Sequence, residues 1–197
     1  RFAYVSEPVA PSAVVTFGKT PRSLTKRDTI TIQKQFAKAA LRVKKAGFDL
    51  VELHGGTGYL LAQFVSPRTN KRSDSYGGPI ENRIKFPIDV LKRVKDSVGD
   101  FPVGYRFLVD EWLPDGLKEN ESIILAKHLE QEGVVYISAM GGTYESFFLP
   151  EIVKKTKRAG YMESLAAAVK KNVGIPVIAA GRISTPLKAE SILNEKK

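Results

Sequence analysis

The 197 residues contain no cysteine, which excludes a disulfide scaffold, a cysteine nucleophile and any thiolate zinc or iron–sulfur site within this stretch. Histidine is nearly as scarce, at two, and no His/Asp/Glu cluster has the spacing of metal ligands, so a metal site is not expected. No apolar run reaches the ~18–20 residues that a membrane helix needs, and no signal-peptide pattern opens the chain. A protein without membrane contact, in a reducing, cytoplasmic compartment, is therefore the expectation. Two familiar motifs are also missing: there is no GxSxG nucleophile elbow and no GxGxxG turn. The first residue is Arg1 rather than Met, which suggests an excised or processed piece.

What is present is an ordinary globular composition, 43% hydrophobic and 26% charged, with a net charge of +10. The surplus is scattered in pairs: Lys26-Arg27, Lys71-Arg72, Lys154-Lys155 and Lys170-Lys171. Loops and polar helix faces are their expected places. No aromatic-plus-basic pattern accompanies them, so nucleic acid is not an expected partner.

Short apolar runs alternate with amphipathic stretches. Four runs read as buried parallel strands: Phe48 to His54, Pro102 to Leu108, Val134 to Met140 and Ile175 to Ala180. Between them lie helical stripes. Ile32, Phe36, Ala40 and Val43 form the first, with Thr25 and Asp28 as a capping pair and Gly47 as its stop. Ile84, Ile88, Leu91, Val94 and Val98 form the second, with Pro87 restricting or kinking its first turn. Ile123, Ala126 and Leu129 form the third; Leu165, Val169 and Val173 the fourth; a fifth helix starts at Pro186. Residues 1–24 read as a loop and 25–197 as strand–helix repeats.

Such repetition requires crossover connections and a helix-covered parallel sheet. It closes either as an open doubly wound sheet or as a (β/α)8 TIM barrel. The absence of GxGxxG favours the barrel. Four strands are half of the eight required, so the chain is expected to be a partial segment of a longer barrel.

Function in a barrel collects at the C-terminal strand ends. The first run ends at His54, the second carries Arg106, and the fourth runs into Gly181-Arg182. Alternation along the first strand puts Glu52 on the same side as His54, within reach of Arg106. A neutral histidine can donate to a carbonyl gaining negative charge, and Tyr59, five residues on, can act as a general acid. His128 falls on a polar helix face. Alone, a histidine after a strand and an aromatic such as Tyr59 are each more often packing residues than catalytic ones.

The stretch Gly47–Arg83, GFDLVELHGGTGYLLAQFVSPRTNKRSDSYGGPIENR, resembles the old yellow enzyme family of FMN-dependent ene-reductases. The likeness continues through FPVGYRF, DEWLPDGL, VVYISAMGG and VIAAGRIS. It implies a TIM barrel binding FMN at its rim, reduced by NADH or NADPH, and a small-molecule substrate with an activated C=C bond. By the same resemblance His54 would bind the substrate carbonyl and Tyr59 would protonate the alkene carbon. Arg106 would lie against the flavin pyrimidine edge, and Gly181 and Arg182 would hold part of its phosphate. Arg1 resembles the end of the family's third-strand signature, which would make the four runs strands four to seven. Thr57 stands where the family usually has Asn or His as the second carbonyl clamp, a shorter donor in that place. A homo-oligomer is compatible with the family. Two other readings remain open: a different phosphate-ligand barrel such as an isomerase or aldolase, and a non-catalytic binding segment that uses the basic surface.

Overall fold

The computed structural model describes residues 7–195, so Arg1 and its strand-three likeness lie outside the described residues. Two short strands, β1 (Val9–Ala10) and β2 (Arg22–Ser23), pair in parallel within the segment expected to be loop. Then come α1 (Lys26–Lys45), β3 (Val51–Gly55), α2 (Leu60–Val65), α3 (Ile80–Arg83), α4 (Lys85–Val98) and β4 (Val103–Asp110). The second half holds α5 (Glu119–Gln131), β5 (Ile137–Gly141), a 3₁₀ turn (Ser146–Phe148), α6 (Pro150–Thr156), α7 (Glu163–Lys170), β6 (Val177–Ile178) and α8 (Pro186–Asn194). No helix among the described residues is long and apolar enough to cross a membrane.

The capping pair is a full box: the Thr25 hydroxyl accepts from Asp28 N, and the Asp28 carboxylate accepts from Thr25 N. The residues of α1 that are fully buried are not the large ones. Thr29, Gln33, Ala37 and Ala40 are buried, while Ile32 and Phe36 pack at the margin. Pro87 sits in the first turn of α4, where its missing N–H costs no helix bond.

Strands β3, β4, β5 and β6 form one parallel sheet in sequence order. Right-handed crossovers between neighbours taken in order put every connecting helix on the same face. A doubly wound sheet instead reverses strand order and covers both faces. The burial pattern agrees with the one-sided arrangement. Leu53, Tyr105, Phe107, Ile137 and Ala139 join Leu91, Val94, Leu129 and Val169 of the helices in one core. Glu52, His54, Arg106, Ser138 and Met140 alternate with them onto the opposite face.

The observed strands start later than the apolar runs. Phe48 is 64% exposed, and β3 begins at Val51, where the backbone first finds a partner in Pro102 O. The last strand shrinks to Val177–Ile178. The helices α2 and α6, too short to show a period, were not expected.

Arg83 is a buried polar tie between helices of this scaffold. Its guanidinium is buried and donates to Gly78 O at 3.0 Å, to Val65 O and to the Glu121 carboxylate, which joins α2, α3 and α5. Arg83→Leu is expected to lower the unfolding free energy by about 3 kcal/mol, because two carbonyls and a carboxylate lose a buried donor. Arg83→Lys should restore less than half of that, since a point charge cannot serve three directions. Urea unfolding of the two variants against wild type measures both.

Candidate active site

Register places the site. His54 of β3 pairs with Arg106 of β4, and Arg106 with Ser138 of β5, so three inward-facing side chains lie abreast across three strands. One row below, Glu52 pairs with Gly104, and Tyr136, just ahead of β5, hydrogen-bonds to Glu52 across that glycine. Any side chain at Gly104 would run into the Tyr136 ring. This corrects the expected Glu52–Arg106 pair: Glu52 is one row too low and is occupied by Tyr136. Burial, with Glu52 as the hydrogen-bond partner, pushes the Tyr136 hydroxyl up to about 12.

The turn after β3 is as tight as its glycines suggest. Gly56 lies against Met140 Sδ, Arg106 and His54, with no room for a Cβ. Thr57 and Gly58 both adopt positive φ, +54° and +75°, a region costly for a β-branched residue. This turn delivers Tyr59 at the N-terminus of α2, its ring 4.8 Å from that of His54. The Thr57 hydroxyl faces Met140 Sδ at 3.4 Å, a weak acceptor. It is not engaged by His54 or Tyr59.

His54 is held below its ordinary value, first by partial burial and then by the Arg106 charge, with Glu52 opposing. It is therefore a neutral imidazole at neutral pH. Tyr59 is raised by its 2.8 Å hydrogen bond to the Tyr144 hydroxyl, helped by burial, and stays a phenol.

The guanidinium of Arg106 makes a 3.4 Å hydrogen bond to Ser138 Oγ and opens onto a cleft of about 490 Å³. Gly181 and Arg182 line the same cleft, with Phe147, Tyr161 and Met162 as its apolar wall. Both residues of the Gly181-Arg182 turn adopt positive φ, +101° and +54°. A Cβ at Gly181 would crowd Met162 N and the Tyr161 ring at 3.1 Å. The structure thus brings His54, Tyr59 and Arg106 together and joins Arg106 to Gly181 and Arg182. Among the described residues no His/Asp/Glu group gathers as metal ligands.

Two groups were missed in the sequence. Tyr144 is one; it follows the Gly-Gly turn after β5 and touches Tyr59. The other is the clamp beneath the rim, where buried Glu111 accepts from Ser66 Oγ at 2.7 Å and Leu117 N at 2.6 Å. Burial raises the Glu111 carboxyl against both bonds. Arg68 binds Asp115 and Glu145 alongside, so three loops are tied together. The SDSYGG turn, by contrast, is scaffolding. Asp74 accepts a bidentate Arg72 fork, and Tyr76 donates to Asp89 at 2.7 Å. Arg72, expected on a solvated loop, is a partly buried strut that also reaches Pro11 O at 3.0 Å. His128 is exposed on α5.

Residues 4–197 match the NADH:flavin oxidoreductase / NADH oxidase family, and the chain belongs to it. It is 43% identical to the NADH oxidase of Thermoanaerobacter brockii over 96% of this chain and 29% of that protein. It is 37% identical to an NADPH dehydrogenase of Bacillus cytotoxicus, over 95% of this chain and 53% of the relative. Among solved structures, a 2-naphthoyl-CoA reductase in complex with 2-naphthoyl-CoA superposes with TM-score 0.89 at 32% identity. That match covers 96% of this chain and 29% of the reductase. The chain thus spans between under a third and about half of these relatives. Its fold is a segment of a (β/α)8 barrel, as the sequential strand order and one-sided helices require.

Because Arg106 depresses His54, Arg106→Leu is expected to raise the His54 pKa toward 6.5, the ordinary value. In wild type the imidazole stays neutral to lower pH than a free histidine. Titration of the His54 ring signals by NMR in wild type and in Arg106→Leu reads both.

Proposed function

We propose that the protein is an FMN-dependent oxidoreductase that draws on NADH or NADPH and reduces a C=C bond activated by a carbonyl, as in enones and enoates. The observation that carries this is the row His54–Arg106, with the Tyr59 ring tilted against His54 and the Gly181-Arg182 turn sharing a cleft with Arg106. Membership of a flavin oxidoreductase family, and relatives named NADPH dehydrogenase and NADH oxidase, support the redox class.

The residues fit the cofactor on two grounds. The Arg106 guanidinium is half-buried and weakly bonded, so an anionic ring edge in the cleft would be its best partner. The Gly181-Arg182 turn combines close backbone approach with a cation, the combination a phosphate needs. FMN would supply the hydride transfer between nicotinamide and alkene. The rest falls to the protein. Neutral His54 donates to the substrate carbonyl oxygen and stabilises the charge that builds there. Tyr59, kept protonated, gives its proton to the carbon next to that carbonyl. Thr57 can leave the Met140 sulfur for the same carbonyl oxygen at little cost, and we assign it as the auxiliary donor.

The full-length protein should be yellow when purified, bleach with NADH or NADPH without oxygen, and regain colour with an enone. His54→Ala should weaken a phenolic ligand by about tenfold or more, the cost of a lost hydrogen bond to a charged group. A colourless protein that gains no flavin absorbance on addition of FMN would sink the assignment.

A further inference from the structure

A general acid leaves charge behind, and Tyr59 must carry it where its neighbour His54 is neutral. We infer that Tyr144 is the positioning residue for Tyr59, donating to its oxygen as the proton leaves and bearing part of the resulting negative charge. This rests on the proton-donor reading of Tyr59.

The geometry is specific. The two phenol oxygens are 2.8 Å apart, and either can donate. The rings meet edge to face, with centroids 5.9 Å apart at 88°. A phenol has one hydrogen. When Tyr59 aims its hydrogen at the substrate carbon, the shared bond survives only if Tyr144 is the donor. After transfer the bond becomes charge-assisted, roughly twice as strong as the neutral one.

Both partners stand on braced supports. Tyr59 N donates to Gly56 O at 3.0 Å, and Gln63 Nε2 holds Gly58 O at 2.8 Å. On the other side, Thr143 N donates to Ser146 Oγ at 2.8 Å, and Phe147 N to Thr143 O at 3.0 Å. Arg68 Nε anchors Glu145, the next residue, at 3.0 Å. Gly58 and Thr143 come close enough that a Cβ at Gly58 would sit 3.5 Å from the Thr143 side chain. The pair is therefore fixed by two loops from different strands rather than by chance contact of mobile rings.

The protons balance. The proton on Tyr59 goes to the alkene carbon next to the carbonyl, and bound FMN would supply the hydride for the other carbon. The phenolate of Tyr59 takes the Tyr144 proton, and the half-exposed Tyr144 recovers one from water.

The test uses the flavin-loaded full-length protein, with both half-reactions followed by stopped flow on wild type, Tyr59→Phe, Tyr144→Phe and the double variant. Tyr144→Phe keeps the ring and removes only the hydroxyl, and its flavin spectrum should match wild type. We expect it to slow enone-dependent reoxidation about tenfold or more, with reduction by NAD(P)H unchanged. The double variant should be no slower than Tyr59→Phe alone, because the hydroxyl has nothing left to assist. Wild-type reoxidation by Tyr144→Phe overturns the inference, as does equal slowing of both half-reactions or an additive double variant. If Tyr59→Phe itself reoxidises normally, the donor reading fails, and the role of Tyr144 fails with it.

Discussion

The register of three parallel strands determines the rest of the site. One residue of slip between β3 and β4 would turn either His54 or Arg106 into the helix-packed core. What prevents it is the opposite face. Leu53, Tyr105, Phe107, Ile137 and Ala139 are buried against helices, and moving that set into the barrel interior would forfeit ~25 cal/mol for each Å² of apolar area. The row of His54, Arg106 and Ser138 is held by hydrophobic packing on the opposite face of the sheet.

The glycines follow from the same constraint. Side chains on the inner face of a barrel converge, so a large group at one position needs a vacancy beside it. Gly104 gives Tyr136 its path to Glu52, and Gly56 lets the turn settle against Met140 and Arg106. Neither glycine is chosen for turn geometry, since neither has positive φ. Thr57 and Arg182 show the converse: bulky residues held at positive φ on the rim, where backbone strain tends to accompany function.

Much of this was legible in the sequence because period-two alternation and strand order are local properties. The runs ending at His54 and carrying Arg106 appear as strands, and the helix over Pro186–Asn194 begins where its proline predicts. The strand starts at Phe48 and Ile175 were not legible, because apolar character does not report where backbone pairing begins: Phe48 is exposed, and the ladder first forms at Val51. Glu52 went astray for a related reason. Alternation gives the face of a side chain, but only cross-strand register gives its row. The SDSYGG turn was distinctive as a signature, yet its distinctiveness comes from an Arg72–Asp74 strut and a Tyr76–Asp89 bond. Tyr144 lies outside any element, on a turn whose path depends on Gly142 at φ +84° and on the Gly142 N bond to Asp110 O. No spacing rule connects it with a residue 85 positions earlier.

The distribution of charge at the rim follows from how each group must act. Arg106 presents a planar guanidinium, which suits a partner with lasting negative charge. The same cation, beside a partly buried His54, makes a second positive charge there unfavourable. His54 is thereby restricted to a dipolar role. Such a donor strengthens as charge grows on the acceptor without itself titrating, which matches a carbonyl whose charge is transient. Tyr59, against a second phenol rather than a cation, keeps its proton, as the proposed donor role requires. Replacing Tyr144 by a lysine or arginine would favour the phenolate in the resting state and remove the acid. The pairing of two neutral hydroxyls is thus the arrangement that holds a proton ready and still accommodates its loss.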